Sequence, residues 1–144
     1  MNKITRLFIV ACTVMTVVSC SNDTIYKGFK RMPNGAYMKF YTRSNSEVAP
    51  QYGDGVTFDM VQYFDDSLFF TTAGDAPIDI ILERPAFVGD VSDALVMMHI
   101  GDSARVVVLS DSVFMSMMGI EAPEEYLGKP IYYDLKLLSV KPAE

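Results

Sequence analysis

The sequence predicts an α+β domain: one antiparallel, curled sheet of about five to six strands wrapped around a single short helix. Three observations lead there. From Ala36 onward, segments that alternate apolar and polar residues recur between turns rich in Gly, Pro and Asp, the period of strands with one buried face. Only one stretch, Val91 to His99, carries the spacing of a helix laid on a sheet, with Val91, Ala94, Leu95 and Met98 on one face. The chain of 144 residues is 50% hydrophobic, enough for one core and too short for two.

In chain order, Lys3 and Arg6 form a short positive region ahead of the apolar run Leu7 to Val18. That run has the length of a signal-peptide core and is too short to span a bilayer. It ends Val17-Val18-Ser19-Cys20, which resembles a bacterial lipobox, in which the cysteine is acylated and becomes the new N-terminus. An ordinary secretory signal with an incidental cysteine is the other reading. Residues 1–19 are therefore expected to be a lipoprotein signal peptide, 20–35 the lipidated Cys20 and a polar tether, and 36–144 the folded domain. One acyl chain holds a protein only marginally at a membrane, so a stable anchor takes several. Outer-membrane placement in a bacterial envelope is the expected localisation, since Ser21 follows the cysteine.

Strands are expected at Ala36 to Thr42, Val56 to Tyr63, Ser67 to Thr71, Ile78 to Leu82, Ala104 to Val108 and Pro130 to Val140. Asp65-Asp66 reads as the turn of a hairpin between the second and third. Asp90 is placed to cap the helix, with Asp93 in its first turn, and Gly101 to end it. Phe114 to Ile120 falls in the connection before the last strand. It reads either as a short helix packed down as a lid or as a flexible apolar surface, with Met115, Met117 and Met118 supplying adaptable contacts.

The charge balance excludes some functions. Net charge is −6 and grows more negative once Lys3 and Arg6 are removed, so no basic patch exists to bind nucleic acid. Of the two cysteines, Cys12 leaves with the signal and Cys20 is taken by lipid, which leaves no disulfide and no cysteine metal site. His99 is the only histidine, so no histidine triad or multi-histidine site can form. The Gly-Asp pairs read as turns, and no phosphate-binding glycine loop is present.

The run Gly89-Asp-Val-Ser-Asp-Ala-Leu-Val-Met-Met-His-Ile-Gly101, the strand after it, and the closing Pro130-Ile-Tyr-Tyr-Asp-Leu-Lys-Leu-Leu-Ser-Val140 resemble the FKBP-type peptidyl-prolyl cis-trans isomerases. Pro77, Ile80, Leu82, Met98, Gly101 and Asp134 fall on framework positions. Met32 to Phe40 looks like the lead-in strand of lipid-anchored members, and the likeness covers about Tyr52 to Val140. It implies an FKBP-like fold and prolyl isomerisation of envelope polypeptides, with proline-containing or unfolded chains as partners. The alternative is a non-catalytic, membrane-anchored polypeptide-binding chaperone or complex subunit on the same fold.

The resemblance also implies a pocket. Phe70 matches a pocket phenylalanine, although Thr71 replaces the aspartate that follows it. Val88 matches an aliphatic residue whose amide binds a substrate carbonyl. Val91 stands where the family has its floor tryptophan, Met60 and Phe114 where it has tyrosines, and Tyr133 where it has a phenylalanine. Ile78, Phe87, Met115, Met117 and Met118 are the substrate-contact candidates. Plain core is the other reading of each pocket residue. The pocket stays apolar but lacks an indole, a carboxylate and two hydroxyls, which implies weak activity. The reaction needs no nucleophile, metal or cofactor.

Overall fold

The computed structural model describes residues 24–144. The signal-peptide reading of 1–19 and the lipidation site at Cys20 lie outside the described residues. The folded chain runs from a 3-10 turn, Thr24–Tyr26, through β1 (Lys30–Arg31), β2 (Tyr37–Thr42), β3 (Gly55–Phe64), β4 (Ser67–Thr71) and β5 (Ile78–Ile81) to α1 (Val91–Leu95). It continues through β6 (Ser103–Leu109) and α2 (Ser110–Met118) to the closing strand β7 (Pro130–Lys141).

All seven strands pair antiparallel in one sheet, in the order β1-β2-β6-β7-β3-β4, with β5 also on β3. The long β3 is the reason both can pair with it. One edge of β3 runs along β7 from Gly55↔Lys141 to Phe64↔Ile131. Its other edge is shared: β5 pairs with Gly55 to Phe58 and β4 with Val61 to Phe64. Thr72 sits where β4 leaves. Its N–H donates to the Met60 carbonyl at 3.0 Å, and its hydroxyl accepts from the Met60 N–H at 3.1 Å. In β7 the pairing shifts beside Leu138, so Leu137 and Val140 both turn inward, the local bend a bulge produces.

The core lies between the inner face of this sheet and α1. Met38, Ala104, Val106, Ile131, Leu135, Leu137, Val56 and Phe58 come from the strands, Ala94 and Leu95 from the helix, and Leu82 and Met98 from the flanking segments. Alternation along each strand puts these side chains on one face. On the opposite face Arg105 forms a two-bond pair with Asp134 (2.7 Å each) and lies over the rings of Tyr63 and Tyr132 at 5.1 and 5.4 Å.

Three expectations are corrected. The expected tether is structured over residues 24–35: β1 pairs with β2, Tyr26 stacks on Tyr37 at 4.0 Å between ring centres, and Met32 is buried. This supplies the seventh strand. The helix expected from Val91 to His99 ends at Leu95. The His99 N–H, which would otherwise prolong it, donates to the Asp102 carboxylate at 2.9 Å instead. Single tight bonds, Met97 N–H to Ala94 and Met98 N–H to Leu95, keep Met98 in the core. Gly101 therefore serves a later turn, with φ +91°. Finally, the single expected helix is joined by a second, α2, which covers Phe114 to Met118 and so agrees with the short-helix reading of that connection.

Candidate functional site

A cleft of about 200 Å³ opens between α1, α2 and the inner face of the sheet. Ala86, Phe87, Asp90, Val91, Val108, Val113, Met117 and Tyr133 line it. Sequence dictates each wall. Val108 and Tyr133 project from β6 and β7 on the core-facing side of the sheet. Val113 and Met117 stand four residues apart on α2, hence on one side of that helix. Phe87, Asp90 and Val91 come from the loop into α1.

That loop is held by two carboxylates. Asp90 caps α1: one oxygen accepts from the N–H groups of Ser92 (2.8 Å) and Asp93 (3.2 Å), the other from Ala86 (2.8 Å). Asp93, buried, accepts from the Gly89 N–H and from the Tyr52 hydroxyl, both at 2.7 Å. Burial and this bond to Asp93 push the Tyr52 hydroxyl up to about 12. Asn34 closes the ring by donating to the Asp93 carbonyl at 2.7 Å. Gly89 is required here. Its φ is +88°, and a Cβ would lie 3.2 Å from the Gly35 carbonyl oxygen.

Tyr133 is the polar feature of the apolar wall. Burial, with a smaller contribution from the charge of Asp90, raises its hydroxyl to about 12, so it stays protonated throughout the physiological range.

The residues expected from the sequence divide into two groups. Phe87, Val91, Met117 and Tyr133 meet in the cleft. The others stand elsewhere. Phe70 lies on the edge strand β4 and is 42% exposed; it shares the row Val106, Tyr133, Gln62 across the sheet, at the open end. Met60 and Ile78 pack against the core on β3 and β5. The Val88 side chain is 75% exposed and turns to a second, smaller hollow beside Tyr26, Gly35 and Tyr37, and no hydrogen bond among the described residues engages its N–H. Phe114 faces away from the cleft, stacked on Tyr126 at 5.6 Å, because α2 turns its Val113 and Met117 side inward. Met115 and Met118 are exposed beyond the rim.

Sequence reasoning missed Ala86, Val108, Val113 and the cleft position of Asp90. Reading Ser110 to Gly119 as a helix closed by a left-handed glycine would have paired Val113 with Met117. Among the described residues no group of three or more His, Cys, Asp or Glu is arranged to hold a metal, and no helix is long and apolar enough to cross a membrane.

No family model and no curated protein matches the chain. Solved structures do. FkpA from Escherichia coli superposes with a TM-score of 0.61 at 21% identity over 82% of this chain, which spans about half (54%) of that one. A peptidyl-prolyl cis-trans isomerase from Pseudomonas syringae pv. tomato str. DC3000 superposes with a TM-score of 0.62 at 21% identity, covering 83% of this chain and 90% of its own. The fold is FKBP-like, as the sequence resemblance implied.

Proposed function

We propose that this chain is a prolyl cis-trans isomerase of low activity, anchored through Cys20 to the bacterial outer membrane, and that it assists the folding of envelope polypeptides. One observation carries the reading: an apolar cleft walled by Phe87, Val91, Val108, Val113 and Tyr133, on a loop braced by Asp90 and Asp93. Such a cleft suits the reaction. The barrier to prolyl rotation comes from amide resonance, about 18–20 kcal/mol. The twisted transition state has lost that resonance and its charge separation. A dry, apolar site therefore favours it over the planar ground state, and a donor such as the Val88 N–H can hold a flanking carbonyl. Val91 in place of a larger aromatic floor leaves less ring surface against the proline, so the acceleration is small.

The test is a prolyl isomerisation assay on a short peptide and on a protein whose refolding is limited by proline, side by side. Uncatalysed isomerisation takes roughly tens to hundreds of seconds, so a small acceleration is measurable. Acceleration of both substrates that is lost on blocking the cleft with Val113→Trp, at a partly buried position on α2, is the expected result. No acceleration of either overturns the catalytic reading.

A second reading rests on the exposed apolar rim of Met115, Met117, Met118 and Ile120. On this reading the protein is a polypeptide-binding chaperone without catalysis. Protection of an aggregating client with no change in isomerisation rate would support it.

A further inference from the structure

Among the eight residues lining the cleft, Tyr133 alone carries a hydroxyl. That hydroxyl makes no hydrogen bond to any described residue, and every fully buried side-chain polar atom among the described residues has a partner. The Tyr133 oxygen therefore reaches open space. The other polar lining group, Asp90, is committed: its two oxygens accept from three backbone N–H groups. The cleft thus offers a bound molecule one free side-chain donor, set in an apolar wall beside a fixed negative charge.

We propose that Tyr133 is the residue that sets the register of a bound polypeptide, its hydroxyl donating to a main-chain carbonyl next to the proline while its ring forms the wall. The inference rests on the prolyl-peptide reading of the cleft. Acidic flanking residues are disfavoured, because the Asp90 carboxylate has no cation on the cleft wall to offset it. A main-chain carbonyl is the natural acceptor, since every peptide presents one and apolar side chains present none. The donor keeps its proton well above neutral pH because burial and the Asp90 charge both oppose ionisation.

The experiment compares wild type with Tyr133→Phe, which removes one oxygen that makes no hydrogen bond to any described residue. Tyr132→Phe, on the outer face of the sheet, is the control. Peptides with Leu or Glu before proline are titrated for binding and assayed for isomerisation, and folding is checked by near-ultraviolet circular dichroism. In Tyr133→Phe, KM and the dissociation constant for the Leu peptide should rise roughly fivefold, the worth of one ordinary hydrogen bond, with kcat nearly unchanged. The ratio of wild type to variant should be constant from pH 6 to 9, and Tyr132→Phe should match wild type. Independently of any variant, the ring carbon bearing the Tyr133 hydroxyl should shift in the NMR spectrum of carbon-labelled protein when the Leu peptide is added. Unchanged KM and affinity in Tyr133→Phe, or no shift of that carbon in a protein that binds the peptide, overturns the role of Tyr133 and leaves the cleft reading intact. A wild type that neither binds nor accelerates overturns the cleft reading and this inference with it.

Discussion

At the scale of single residues, backbone geometry governs the loop that builds the cleft. Gly35 and Gly89 approach so closely that a Cβ on Gly89 meets the Gly35 carbonyl, and one on Gly35 would collide with the Val88 side chain. Gly89→Ala adds a side chain at φ +88° and in that crowded space. It should cost about 1–3 kcal/mol, seen as a lower melting temperature, and should weaken any peptide binding further by displacing Phe87 and Val88. Asp102 is a second singular residue. It is fully buried and accepts from the N–H groups of Ser44 and His99 and from Arg43 at 2.7, 2.9 and 3.0 Å. Burial alone would raise its carboxyl. The His99 and Ser44 amides and the Arg43 guanidinium outweigh that and hold it below its ordinary 3.8. A depressed carboxyl adds stability above its unfolded value and loses it as pH falls through the folded one. Wild type should therefore lose melting temperature steeply below about pH 4, while Asp102→Asn should start lower and fall less. Parallel acid profiles for the two proteins would rule this out.

At the scale of elements, α2 is packed on one side and bare on the other. Its first turn is tied down by Ser110, which is buried and bonds through its hydroxyl to the Tyr126 carbonyl and through its N–H to Lys129. Phe114 on Tyr126, and Tyr126 edge-on to Phe64 at 4.8 Å, bind the return loop to the sheet. Met115, Met117 and Met118 are 53%, 75% and 64% exposed, so little area is lost from the core when they are shortened. The triple change to Ser should move the melting temperature by only a degree or two. It should weaken protection of an aggregating client, read as faster light scattering. A collapse in stability would mean that the three side chains are core. Phe114→Tyr makes the complementary test: its ring faces Tyr126, so an added hydroxyl should leave isomerisation unchanged.

At the scale of the whole molecule, the proposed anchor at Cys20 would fix the domain at a membrane surface. Cys20→Ser should abolish acylation and move the protein from a carbonate-washed membrane fraction into the soluble or unprocessed pool. Retention in the washed membrane would refute the anchor. The described chain begins at Thr24, four residues after Cys20, and Tyr26 is already packed on Tyr37. If Cys20 carries the proposed anchor, lengthening the chain at Asn22 by a Gly-Ser linker should leave the melting temperature unchanged while widening the reach to clients.

Much of the fold was legible in the sequence because strand alternation and turn residues are local signals. Val56 to Tyr63 and Pro130 to Val140 announce themselves by period, each within a residue of the observed β3 and β7 at either end, and Asp90 marks the start of α1 by its capping chemistry. The end of α1 was not legible. It depends on Asp102, which takes the His99 N–H and also reaches Ser44, fifty-eight residues away in the chain. Likewise the sequence marked Phe87, Val91, Met117 and Tyr133 as pocket residues, yet it could not exclude Phe70 or Phe114. Only the curl of the sheet and the rotation of α2 decide which aromatic rings face the cleft. Composition and local period thus determined the class of this protein, its single core and its strand order of appearance. The tertiary structure alone decided that Val113 and Met117 enter the cleft, that Val88 turns aside, and that the Tyr133 hydroxyl has no partner among the described residues. Those outcomes depend on contacts between residues remote in the chain, where a rotation of one helix by a single position exchanges one wall for another.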